Sequence, residues 1–145
     1  MRRSTLFLGI LILLAAAAPT LAQSDIVIEN TSGWTIAKIR SNGDVEDASG
    51  GTIGRIGENG SVEDASAWTI GRVREDGTIE DSSGWTIGKV RDNGAVENAS
   101  GLTIGRIGSG RIDDSSGMTA LRFSGGTDLR RLGAYLFFFN KILIK

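Results

Sequence analysis

The chain has 145 residues, with 16 Lys and Arg against 17 Asp and Glu, and neither histidine nor cysteine. Without those two residue types there is no Ser-His-Asp or Cys-His triad, no usual zinc ligand set, no disulfide and no cysteine-linked lipid anchor. The near balance of charge gives nucleic acid no basic surface to hold.

Read from the N-terminus, Arg2 and Arg3 precede an apolar run over residues 6–18, and Thr20 and Ala22 are the small residues a signal-peptidase site requires. Residues 1–22 therefore read as a secretory signal peptide, with Gln23 as the mature start. The alternative, a membrane anchor, is short of the roughly 18 to 20 apolar residues that a span needs. The mature chain keeps 14 basic and 17 acidic residues, a net charge of −3. The expected location is the periplasm, the cell surface or the medium, with no transmembrane span in the mature chain. At 123 residues it has the size of one domain with a core of its own.

Residues 34–117 divide into five consecutive units of nearly the same text, starting at Trp34, Gly51, Trp68, Trp85 and Leu102. The first four span 17 residues each and the fifth 16. Half-units flank them: residues 24–33 match the second half of a unit, and residues 118–123 match a first half. Each unit carries two turn signals. One is built on Asn-Gly or Asp-Gly, as at Asn42-Gly43 and Asp76-Gly77, and the other on Ser-Gly, as at Ser49-Gly50 and Ser83-Gly84. The short Thr, Ile and Val segments between them predict an antiparallel meander of strands. Proline is absent from the repeats, as paired strands prefer.

The odd fifth unit sets the register. A three-residue loop closed by Gly43 in a bulge places Ile39 opposite Val45 and Lys38 opposite Glu46. The same rule pairs Ile56 with Val62, Val73 with Ile79 and Val90 with Val96, and pairs Arg55 with Glu63, Arg72 with Glu80 and Lys89 with Glu97. A two-residue loop, Ser109-Gly110, keeps Ile107 opposite Ile112 and Arg106 opposite Asp113 despite the deletion. Each apolar pair contributes about 0.2 to 1 kcal/mol. Ile36 and Ile39 are out of phase for a flat strand, and the small residue between them (Ala37, Gly54, Gly71, Gly88 or Gly105) permits a bend that turns both inward. Hairpins this short need a shared core. Pairing the two half-units closes the array into a ring and removes its edges.

Trp34, Trp68 and Trp85 share one repeat position, which elsewhere holds Gly51, Leu102 and Met118. A slot that accepts both Trp and Gly is no packed core slot, so these indoles are expected at the surface. They are the candidate ligand-binding surface, by stacking on sugars; the alternative is that they only cover the rim. The recurrent acids Asp47, Asp64, Asp81 and Asp114, with Asn98, are expected to accept backbone hydrogen bonds within the Ser-Gly turns rather than to bind calcium. No catalytic, cofactor-binding or metal residue is assigned. Carboxylates that recur in every unit do not make the single asymmetric constellation of an active site.

Residues 124–145 differ in kind. Thr127 is a candidate N-cap, and Leu129, Leu132, Tyr135, Leu136 and Phe139 fit helical spacing. The expected role is a helix that plugs or caps one end of the ring. The alternative is a tail in which Tyr135, Phe137, Phe138 and Phe139 contact a partner or a membrane surface.

The DSSGWTIGKVRDNGAVE text of residues 81–97 and the Phe137 to Phe139 run, together with the export signal, resemble the small bacterial β-flower proteins. The likeness is to the five-fold β-flower family known from the Bacteroidetes group and covers nearly the whole mature chain. It implies an all-β fold, an antiparallel repeat of five hairpin units arranged radially like a small propeller, and brings no activity with it. Five turns of the Asn-Gly kind and six of the Ser-Gly kind leave five and six petals both open. The expectation that follows is an exported, non-catalytic binding or structural module of the cell envelope, without cofactors. Its partner would be an envelope polysaccharide or another envelope protein.

Overall fold

The structure, a computed structural model, describes residues 23–144; the expected signal peptide lies outside them. The repeats form strands β1 (Ile26–Glu29), β2 (Thr35–Ile39), β3 (Asp44–Asp47), β4 (Thr52–Ile56), β5 (Ser61–Asp64) and β6 (Thr69–Val73). They continue as β7 (Thr78–Asp81), β8 (Thr86–Val90), β9 (Ala95–Asn98), β10 (Thr103–Gly108), β11 (Arg111–Asp114) and β12 (Thr119–Ser124). A helix α1 (Leu129–Ala134) follows and runs on into a π-helical stretch, Tyr135–Asn140. Every strand pairs antiparallel with its sequence neighbours, and β1 pairs with β12, so the sheet closes into a barrel. The two half-units meet through Val27 with Ser124, Ile28 with Phe123 and Glu29 with Arg122.

The register follows the turn chemistry. Ile39 faces Val45, Ile56 faces Val62, Val73 faces Ile79 and Val90 faces Val96. In the shortened unit Ile107 faces Ile112. Gly43, Gly60, Gly77 and Gly94 close their loops at φ between 83° and 97°, where glycine alone is unstrained. Ser109 and Gly110, both with positive φ, make the two-residue turn that spares one residue.

Cross-strand registry and ion pairing part company. Lys38 faces Glu46, Arg72 faces Glu80 and Lys89 faces Glu97. Yet these glutamates bond diagonally, to Arg40 at 2.8 Å, Arg74 at 2.6 Å and Arg91 at 2.6 Å. In each case the guanidinium beside the loop donates from its Nε to the carboxylate Oε1. Units two and five have Gly57 and Gly108 where the other three have that arginine.

The phase problem is solved by a bulge. In the ladder between β1 and β2 the pairing steps from Ala37 to Thr35 and skips Ile36, and the same shift recurs at every Ser-Gly turn. Ile39 is fully buried, Ala37 points inward, and Ile36 is half-buried against the core edge, so the two isoleucines are not equally turned in as expected. An extra residue on one strand re-aims the side chains around it.

Val45 faces Gly54, and Gly54 stands two residues before Ile56, the counterpart of Ile39, so the register slides by two residues per unit. A closed sheet with that stagger must tilt its strands. Twelve strands about 4.8 Å apart then stand roughly 10 Å from the axis, close to helix-packing distance. The C-terminal segment fills that space. Leu132, Ala134, Leu136 and Phe137 join the inward residues of the strands in one core.

The helix starts one residue later than Thr127 suggested. The carboxylate of Asp128 is the N-cap, accepting from the amides of Arg130 (3.0 Å) and Arg131 (3.1 Å). Asp is the stronger cap of the two neighbours.

Candidate functional site

The barrel has two unlike ends. Six Ser-Gly-type turns lie at one, and each is built by an Asx residue. Asp64 Oδ1 accepts from the amides of Ser66 (2.8 Å) and Trp68 (3.0 Å), and Asp81 Oδ1 from those of Ser83 (2.9 Å) and Trp85 (3.0 Å). Asn30 does the same for Ser32 and Trp34, as do Asp47, Asn98 and Asp114 in their own turns. The acids thus hold turns, as their recurrence implied. In Asp47 the hydroxyl of Ser49 and the amides of Gly51 and Ser49 hold the carboxyl below the usual carboxylate range.

These turns set the residue after each Ser-Gly corner on the rim with its side chain outward. Trp34, Trp68 and Trp85 are 73–74% exposed, and Leu102 and Met118 at the same position are 65% and 68% exposed. Gly51 leaves a gap in the circle between Trp34 and Trp68. Neighbouring rim positions are two strands apart, about 10 Å. Beside Trp68 and Trp85 the second carboxylate oxygen of Asp64 and of Asp81 has no hydrogen-bond partner among the described residues. Each of these two positions therefore presents an apolar ring face next to a hydrogen-bond acceptor.

The tail is turned inward. Tyr135 and Phe137 are buried, Phe138 and Phe139 are half-buried, and Tyr135 stacks on Phe139 with ring centroids 6.4 Å apart. This corrects the alternative in which those four rings offer a surface to a partner or a membrane: a barrel about 10 Å in radius needs them as filling. Phe137, Phe138 and Phe139 press on Gly88, Gly71 and Gly54, and Leu143 presses on Gly105. Successive plug residues thus meet successive units. The wider turn of the π-helix spreads consecutive side chains around the wall by less than the roughly 100° of an α-helix. A methyl group on Gly105 would lie 2.6 Å from Leu143 Cδ1, and one on Gly71 2.5 Å from Phe138 Cε1.

A family model described as 5-fold beta-flower protein matches residues 25–141, from the first strand through the plug. The chain belongs to that family. Comparisons with curated proteins and with solved structures gave no match. In this β-flower the matched region takes in the closed sheet and the rings that fill it.

The flower's other end was not singled out by its sequence. There α1 brings Arg130 and Arg131 over the Asn-Gly loops, beside a cleft of about 190 Å³. Arg130 Nη2 donates to the Val73 carbonyl at 3.1 Å, and Arg131 Nη2 donates to the Arg40 carbonyl. The available signal was two adjacent arginines in a segment otherwise apolar enough to be core. In a helical pattern such a pair reads as a solvated face. Among the described residues no three His, Cys, Asp or Glu side chains gather as a metal-binding group, and no helix is long and apolar enough to cross a membrane.

Proposed function

We propose that this β-flower is an exported, non-catalytic binding module of the bacterial cell envelope, and that its tryptophan rim takes up an extended polysaccharide. The observation that carries the reading is the exposure of Trp34, Trp68 and Trp85 at one equivalent position each. Three indoles left in water on the rim of a wall whose inward Ile, Val and Leu side chains are buried are retained at a cost in solubility, and ring stacking is the use that suits them. Neighbouring acceptors such as Asp81 suit sugar hydroxyls. In this reading the five repeat units are the petals, with the β12 and β1 pair as the closure.

The test is the intrinsic fluorescence of protein purified from cells expressing the whole chain, titrated with cell-wall and dietary polysaccharides. Emission near that of indole in water, shifting to the blue with one glycan, supports the module. Trp34→Ala, Trp68→Ala and Trp85→Ala together should abolish the response and leave the melting temperature in place. Glycan binding retained by that triple variant would reject the rim.

A second reading, an assembly component contacting envelope protein or lipid, draws on different residues from those first expected. Leu102, Met118 and Ile142 are exposed, and they are apolar without being aromatic. Flotation of the protein with phosphatidylcholine vesicles, lost in a Leu102→Ser and Met118→Ser variant, would favour it over the glycan.

A further inference from the structure

Among the described residues Arg131 is the one charged side chain that is buried, at 5% exposure. Its single hydrogen bond runs to a carbonyl, and neither it nor Arg130 has a carboxylate within ion-pairing distance. Burial alone lowers the Arg131 pKa, against the weaker pull of Asp128 and Asp25. Arg130 adds a second deficit, because its Nε is shielded from solvent and has no hydrogen-bond partner. Buried donors and buried charge without partners are costly, and folds seldom keep them without use. Asp128 does not answer this need. Its Oδ1 caps α1 and its Oδ2 accepts from Gln23 at 3.2 Å.

Arg130 and Arg131 line the same cleft, with Ile56 and Val73 as apolar lining and Asn42, Glu58 and Asp128 as polar lining. Its volume of about 190 Å³ exceeds the roughly 150 Å³ of an apolar cavity that admits benzene. One six-membered ring with substituents fits.

We propose that this cleft is a second binding site, for a hydroxylated monocarboxylate of the size and class of a hexuronic acid. The carboxylate pairs with the Arg130 and Arg131 side chains and supplies the ion pair that neither has within the protein. The ring covers Ile56 and Val73, and its hydroxyls meet Asn42 and Glu58. Glu58 and Asp128 work against a dianion, so inorganic phosphate is the poorer fit. The site lies at the end of the barrel away from the tryptophans and does not depend on them.

The experiment is calorimetric titration of the protein, purified from cells expressing the whole chain, with sodium glucuronate, glucose and inorganic phosphate at low salt. Glucuronate should bind, with glucose and phosphate each at least about tenfold weaker. Arg130→Gln should weaken glucuronate about tenfold at an unchanged melting temperature, and Trp68→Ala should leave it unaffected. Glu58→Gln, an exposed loop change, should narrow the gap between phosphate and glucuronate. Three results would overturn the site: glucose binding as well as glucuronate, phosphate binding as well or better, or no heat at concentrations on the order of 10 mM. An Arg130→Gln variant that binds normally, or an unmoved ratio in Glu58→Gln, would do so equally.

Discussion

Replacing Gly88 by alanine tests whether the aromatic plug is seated unit by unit. The added methyl would lie 2.7 Å from the Glu97 carbonyl oxygen, with the edge of the Phe137 ring closer still. Ordinary carbon contacts are about 3.5 to 4.0 Å, so the ring must retreat by about 1 Å or more. The backbone contact alone is tolerable: unit one carries Ala37 at the same place, buried, with Asp47 and Ile28 opposite it. The cost therefore lies with the ring. Overpacking of this kind costs about 1 to 3 kcal/mol, and the overlap puts Gly88→Ala at the upper end. In a domain of this size that lowers the melting temperature by roughly 10 °C. Phe137→Ala alone leaves a cavity costing about 3 to 5 kcal/mol. The double variant should lose clearly less than the two together, because the methyl enters space the ring has left, giving a coupling of about 1 to 2 kcal/mol in urea unfolding. Additive losses within about 0.5 kcal/mol would refute the seating of Phe137 on Gly88.

Two further outcomes follow from the turns. Ala67 sits at φ 62° where the other five Ser-Gly-type corners have glycine at φ between 79° and 85°. Left-handed alanine is strained by about 1 to 2 kcal/mol, partly offset by the greater freedom of glycine in the unfolded chain, so Ala67→Gly should stabilise by roughly 1 kcal/mol in urea unfolding; an unchanged midpoint would contradict it. Asp47, whose folded-state carboxyl is lowered from 3.8, contributes stability that is complete above that unfolded value and disappears as the pH falls through the lower folded one. Asp47→Asn keeps the accepting oxygen, as Asn30 and Asn98 do natively, so it should match the parent at neutral pH and show a shallower loss of stability in acid. A slope identical to that of the parent would reject the role given to its hydrogen bonds.

The wall was legible because its determinants are local. Loop glycines and the pairs flanking them fix which residue faces which, and the one-residue deletion around Ser109 acted as an internal check on the register. Closure was legible for the same reason, since residues 24–33 and 118–123 supply the two strands that one pair requires. The plug was legible as a helix but not as a set of contacts. Three consecutive phenylalanines and three successive repeat glycines stand in plain text, yet their matching runs in reverse order, Phe137 on Gly88 through Phe139 on Gly54. That order depends on which way the helix enters and on its local widening, neither of which spacing encodes. The diagonal ion pairs of Arg40, Arg74 and Arg91 were missed because registry gives Cα partners, whereas a long side chain selects among diagonal neighbours. Arg130 and Arg131 were missed because burial of a charge is a tertiary fact.

The contrast between the ends is itself an argument about ligands. At the Ser-Gly end the repeat is nearly unbroken: six turns use the same Asx bonds, and the rim residue changes while its outward position does not. A surface that repeats about every 10 Å suits a ligand that also repeats, and tolerates the loss of one contact, as Gly51 shows. At the Asn-Gly end α1 breaks the equivalence, because Arg130 and Arg131 meet the loops of the first three units and not the others. A single asymmetric cleft suits a single small ligand. The same plug that fills the barrel therefore divides the flower into a periodic face and an aperiodic one, and a variant affecting one should leave binding at the other intact. Binding lost together at both ends would mean that the plug transmits a change between them, and Phe138 on Gly71 would then be the contact to alter first.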